Sequence, residues 1–94
     1  MNDKQIVKLK KSSLITILYF NINQYLVDTI SMLGKKYKNY GVSINDIDIT
    51  KYKGSINLIC CPAFCFYKGE QQDIIYSDNI EYIEDKIRAY IGGI

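Results

Sequence analysis

The chain has no histidine, only three cysteines and a single proline. The missing histidine removes the usual base, so a Ser/His/Asp set cannot be assembled and no cysteine has an imidazole to activate it. Three cysteines without histidine leave a zinc site short of its fourth soft ligand, so no metal is expected. Also absent are a glycine-rich phosphate loop and a spaced pair of catalytic carboxylates, and no cofactor is expected. Long hydrophobic runs are lacking too. The mostly apolar stretch Leu14–Phe20 is seven residues, far too short to cross a bilayer, and no membrane partner is expected. Lys4, Lys8, Lys10 and Lys11 before it imitate the charged region of a signal peptide, but Asn21-Ile22-Asn23-Gln24 offers no small-residue cleavage site, and a buried strand is the better reading.

Charge is nearly balanced. The formal net charge of +2 is too small to indicate a nucleic-acid partner. It is unevenly spread: residues 1–53 carry nine lysines and four acids, residues 54–94 three basic and six acidic groups. Such a dipole can steer a partner or set a head-to-tail contact; its ordinary meaning is two differently solvated faces. At 94 residues, 48% hydrophobic and 23% charged, residues 1–94 form one globular domain, near the small end for a single core. The bias toward Ile, Lys, Asn and Tyr points to an AT-rich coding genome, such as that of a large DNA virus, a protozoan or a low-GC bacterium.

All three cysteines, the proline and two of the three phenylalanines fall in Cys60-Cys61-Pro62-Ala63-Phe64-Cys65-Phe66-Tyr67-Lys68-Gly69. Proline is tolerated at the first position of a strand, where it costs no ladder bond. Phe64 and Phe66 then point to one face, Cys65 and Tyr67 to the other. Cys61 and Cys65 would lie roughly 13 Å apart on an extended chain, beyond the ~7 Å Cα separation that a disulfide allows. No internal disulfide is expected, which fits the cytoplasm or another reducing compartment, a virion or host cytoplasm if the source is viral.

Around this stretch the patterning predicts the following elements. Lys4–Leu9 is expected to be a lysine-guarded edge strand, and Leu14–Phe20 a central strand buried on both faces. Asn21-Ile22-Asn23 can cap a helix over Gln24–Tyr40 with an apolar stripe of Leu26, Ile30, Leu33 and Tyr37, ended by Gly41. Val42–Ile49 alternates as a strand, and Thr50–Leu58 holds at most a turn or one short helix. A hairpin joins the Pro62 strand to Asp73–Tyr76. Ser77-Asp78-Asn79 caps a last helix carrying Ile80, Ile83, Ile87, Tyr90 and Ile91, stopped at Gly92-Gly93. The order is β-β-α-β-(α)-β-β-α: a mixed sheet with helices on both faces, an α/β fold.

The strand ending at Asp46-Ile47-Asp48, the Cys61-Pro62-Ala63-Phe64-Cys65-Phe66-Tyr67-Lys68-Gly69 segment, Ile74-Ile75-Tyr76 and the amphipathic C-terminal helix together resemble the second half of a thioredoxin. Residues 14–40 are similar to its central strand and following helix. The resemblance implies a thioredoxin-like fold with a cis Pro62 before the fourth core strand, and Phe64 and Phe66 packed beneath the long helices. The departures are specific. Redox-active members carry Cys-x-x-Cys where the central strand meets its helix; here that junction is Phe20-Asn21-Ile22-Asn23-Gln24-Tyr25. Leu18 stands near the place of the buried acid, the glycine usual after the edge strand is replaced around Ser77-Asp78, and there is no room for a first helix between Leu9 and Leu14.

This implies a redox-inactive thioredoxin-like protein: a binding, scaffold or structural module acting through the cis-proline groove or by self-association, with a protein partner or a second copy. The groove residues would be Cys61, Pro62, Asn21, Asn23 and Tyr25. The alternative is a thiol–disulfide oxidoreductase using Cys61, with Cys60 or a partner thiol, in monothiol exchange. Each residue also has a plainer role. Cys61 and Cys65 fit as small buried hydrophobes, Cys60 as a surface thiol or an interchain cross-link, and Asn21 and Asn23 as helix caps in place of ligand contacts. Tyr25, Tyr37, Tyr40 and Tyr52 offer aromatic surface for a partner chain.

Overall fold

The computed structural model describes residues 1–92. The chain begins with a helix, α1 (Asp3–Ser12), where a strand over Lys4–Leu9 was expected. Two local features decide this. Asn2 and Gln5 form a reciprocal capping box, Asn2 N–H donating to Gln5 Oε1 (2.9 Å) and Gln5 N–H to Asn2 Oδ1 (3.1 Å). Only Ile6 is buried, with Leu9 one turn on and partly buried, a spacing that six residues leave ambiguous between strand and helix. The N-terminal strand shrinks to one bridge between Asn2 and Lys53. The helix with no apparent room between Leu9 and Leu14 is therefore present, and it takes the strand's place.

Four strands follow the order β2-β1-β3-β4 in one sheet. The central strand β1 (Ile15–Asn21) is buried at all seven positions; five of them are apolar, and the polar Thr16 and Asn21 hydrogen-bond to backbone carbonyls. It pairs in parallel with β2 (Val42–Asp48), Ile15 opposite Val42 through Asn21 opposite Asp48, and antiparallel with β3 (Ala63–Lys68). Gly69, in the left-handed region at φ 59°, turns the chain into β4 (Gln71–Ile75). The Cys61–Pro62 bond is cis. With the first strand gone, it precedes the third strand of the sheet, not a fourth.

Helix α2 (Val27–Tyr37) buries Ile30, Leu33 and Tyr37 and continues as a 3-10 turn over Lys38–Tyr40. It starts three residues later than the periodicity predicts. Its N-cap is Leu26, left-handed at φ 58° and without a side-chain cap, so Asn21 and Asn23 do not cap it. Gly41 (φ 77°) ends the 3-10 turn as expected, and a Cβ there would come within 2.8 Å of Leu14 Cδ1. Residues 49–62 hold only one 3-10 turn, Ile49–Lys51. The side chain of Tyr52 organises the rest: its hydroxyl accepts from the Ile56 N–H (3.0 Å) and donates to Asp3 (3.3 Å), and its ring packs edge-on against Phe20. Helix α3 (Ile80–Ile91) is capped by Asn79, whose Oδ1 accepts from the Tyr82 N–H at 3.2 Å. Gly92 closes it at φ 111°; Gly93 lies outside the described residues.

The strand alternation splits the core as the sequence predicts. Ile15, Ile17, Tyr19, Phe64 and Phe66 meet α2 and α3 on one face of the sheet. Ile6, Leu18, Phe20, Ile47, Ala63 and Cys65 pack on the α1 face. Glu84 joins α2 to α3 by accepting from Lys36 (2.6 Å), the Tyr37 hydroxyl (2.5 Å) and Arg88 (3.3 Å).

Candidate functional site: the groove beside Pro62

The groove is built where β1 ends and β3 begins. Because these strands are antiparallel neighbours, with Phe20 opposite Ala63, Asn21 and Pro62 fall side by side at the same end of the sheet. Asn21, Ile22, Tyr25, Cys61 and Pro62 line a shallow cavity of about 170 Å³. Four of the five groove residues named from the sequence thus come together. Asn23 does not line the cavity; it is exposed and takes a left-handed conformation (φ 56°) in the turn above.

Asn21 forms the floor and is only 2% exposed. Its amide nitrogen donates to the Asp46 carboxylate and lies 3.3 Å from the Ile47 carbonyl, so it ties β1 to β2 across the parallel register. A buried amide must find such partners, since leaving it unpaired costs about 1–3 kcal/mol. Asn21 is therefore a structural link whose side chain is already spoken for.

The opposite wall is the turn Ile22–Leu26. Asn23, Gln24 and Leu26 all have positive φ, between 56° and 58°, a conformation unusual for non-glycine residues. Besides a backbone bond from the Tyr25 N–H to the Ile22 carbonyl (3.3 Å), two side-chain contacts hold the turn. The Tyr19 hydroxyl donates to the Tyr25 carbonyl, and the Tyr25 hydroxyl donates to Asp78 at 3.0 Å. Burial, followed by the nearby Asp46 charge, pushes the Tyr19 phenol up to about 12. The bond to Asp78 raises that of Tyr25. Both phenols thus remain protonated donors at neutral pH. The Tyr19 ring stacks on Phe64 with centroids 4.6 Å apart, so this wall and the strand after Pro62 share one aromatic support.

The three thiols sit in three environments: Cys60 exposed, Cys61 half-buried and Cys65 buried, all free. Burial lifts Cys65 to about 11, consistent with a core residue. Burial, and then the neighbouring Cys60, raises the Cys61 thiol above its ordinary value. A redox nucleophile needs the reverse shift, supplied by a cation, an imidazole or a helix N-terminus. The backbone at Cys61 is more available than its thiol: neither its N–H nor its carbonyl is hydrogen-bonded to another described residue. Nearby, Ile59 is 86% exposed, and its N–H is held by the Tyr76 hydroxyl at 3.2 Å.

The sequence reading missed Ile22 as a lining residue, and Tyr19, Asp46 and Asp78 as the groups that hold the walls. A signal existed for one of them. Asn21 is a polar residue ending an otherwise apolar strand, and such a residue needs a partner on a neighbouring strand.

This architecture, a mixed sheet between helices with a cis-proline facing the end of the central strand, is a thioredoxin-like fold. The structure superposes on thioredoxin from Malassezia sympodialis (Mala s 13) with a TM-score of 0.72 at 14% identity, covering 97% of this chain and 87% of that one. Thioredoxin from Trichomonas vaginalis gives 0.72 at 16% identity, covering 94% and 89%. A designed protein gives 0.69 at 12% identity, covering 98% and 94%. No protein-family model matches the chain, and no curated protein matches it in sequence. No helix among the described residues is long and apolar enough to cross a membrane.

Proposed function

We propose that this protein is a redox-inactive thioredoxin-like binding module that holds an extended segment of a partner protein in the groove beside Pro62. The observation that carries this reading is the open backbone at Cys61 next to a cavity walled by Ile22 and Tyr25. An extended chain can pair with a free N–H and carbonyl as an added strand does, while apolar side chains fill the depression. The chemistry of the site fits binding better than catalysis. The junction Asn21–Leu26 has no cysteine, Leu18, near the place where the resemblance expects a buried acid, packs in the apolar α1-face core, and the Cys61 thiol is shifted away from reactivity. Monothiol exchange through Cys61 would need a cation or base beside it, and none lines the cavity.

The test is a titration of the ¹⁵N-labelled protein with a reduced, carboxymethylated polypeptide, which is extended and carries no free thiol. Amide shifts concentrated at Ile22, Tyr25 and Cys61 are expected, and they should persist in Cys61→Ser. Shifts absent at millimolar probe, or confined to other surfaces, would overturn the reading.

A further inference from the structure

The replacement of the first strand by α1 has a consequence on the far side of the sheet. With the order β2-β1-β3-β4, β2 is an edge. The Ile15 N–H donates to the Gly41 carbonyl (3.0 Å), and the parallel register continues from there through Asn21 opposite Asp48. In such a ladder the odd-numbered residues of β2 turn their backbone groups toward β1. The N–H and carbonyl groups of Val42, Ile44, Asp46 and Asp48 therefore face outward. No other described residue covers them with a backbone bond. An uncovered edge of this length is a template for another strand.

A cavity of about 370 Å³ runs along this edge beneath α2, its rim including Ser31, Lys35, Lys38, Ile44 and Asp46. Charge is ordered along it. Along α2 and into the 3-10 turn that continues it, Asp28, Ser31, Lys35 and Lys38 follow at spacings of three, four and three, which places them on one stripe. The acidic end of that stripe lies with Asp46 and Asp48 at the close of β2, and the basic end with Val42 at its start. Lys35 and Lys38 form no salt bridge among the described residues.

We infer that the β2 edge is a self-association surface whose occupant is the β2 edge of a second copy, antiparallel about a twofold axis at Asn45. In that register Val42 faces Asp48 of the second copy and Ile44 faces Asp46. All the outward backbone groups of both strands are then paired, giving one continuous eight-stranded sheet. The twofold lays the acidic end of each copy against the Lys35–Lys38 end of the other. Ile44, half-buried in one copy, is covered in the pair. A strand without basic residues beside it would meet Asp46 and Asp48 unneutralised, so the charge order selects this chain's own edge. This surface lies on the opposite side of the sheet from β4 and does not depend on the Pro62 groove reading.

Sedimentation equilibrium tests the inference. At low salt the protein should sediment at twice its 10.9 kDa chain mass, and the association should weaken as salt screens the paired charges. Lys35→Glu with Lys38→Glu should return it to monomer, as should Asp28→Lys with Asp48→Lys. Mixing the two variants should restore a dimer, because each then meets its opposite. A chain monomeric at millimolar concentration, or a dimer indifferent to both double variants, would overturn it. Should either variant fail to fold, amide exchange on the unaltered chain decides. Ile44 and Asp46 amides should gain at least tenfold protection between micromolar and millimolar protein, and no gain contradicts the pairing. Failure of the polypeptide titration at Cys61 leaves these outcomes unchanged, and the reverse also holds.

Discussion

The two walls of the Pro62 groove differ in how they are made. One is strand-borne: Cys61 and Pro62 lead straight into β3, which is paired on both sides and buries Ala63, Phe64, Cys65 and Phe66. The other, Ile22–Leu26, is a turn of positive-φ residues fastened by two tyrosine hydroxyls. The first wall retains the thioredoxin-like layout; the second, Ile22–Leu26, contains no cysteine. On the proposed reading, one wall of the groove is fixed by the sheet, and the other is a turn whose residues are free to differ without disturbing it. Function belongs to such local constellations and not to the fold that carries them.

The largest expected effect breaks the support that the two walls share. Phe64→Ala removes the ring on which Tyr19 stacks and opens a cavity in the core, which should cost about 3–5 kcal/mol in urea unfolding. A loss below about 1 kcal/mol would mean that the stack does not hold the site together.

A smaller effect is expected from the floor. Asn21→Leu removes a buried donor and leaves the Ile47 carbonyl without that contact, for a cost of about 1–3 kcal/mol. The turn wall should loosen with it, read as faster amide exchange over residues 22–26 while β3 keeps its protection. Equal loosening of both walls would erase the distinction drawn between them.

The legibility of the sequence followed the same division. The strand-borne wall could be read in advance: alternation placed Phe64 and Phe66 on one face and Cys65 on the other, and the almost wholly apolar stretch Leu14–Phe20 marked the central strand. These patterns reflect burial, which dominates the energetics of a small core. The turn could not be read. Leu26, in phase with the apolar stripe of α2, looks helical, yet it lies before the helix in a left-handed conformation and still packs on the core. Hydrophobic phase records which side chains are buried, not which backbone conformation delivers them. The same limit applies at α1, where a capping box only three residues apart outweighs a six-residue stretch of unclear period. Contacts across long separations, such as Asn21 with Asp46 or Tyr52 with Asp3, leave no local trace.

The smallest effect concerns how α2 is held when its first turn has no side-chain cap. Glu84 fastens its far end, and the bonds from Lys36 and Tyr37 hold its carboxyl below the usual glutamate range. A carboxylate with a depressed folded pKa contributes stability above its unfolded value of about 4.3 and loses it as pH falls through the folded value. Stability should therefore drop below about pH 4.5, and Glu84→Gln should flatten that limb while lowering stability at pH 7. An unchanged acid limb in the variant would place the anchoring of α2 elsewhere.

The central claim, that the groove binds without redox turnover, is tested most directly by the rate at which the protein accelerates reduction of a protein disulfide by dithiothreitol. The account predicts no acceleration above dithiothreitol alone, and the same trace for Cys61→Ser. Turnover comparable to that of a dithiol thioredoxin, abolished in Cys61→Ser, would contradict it.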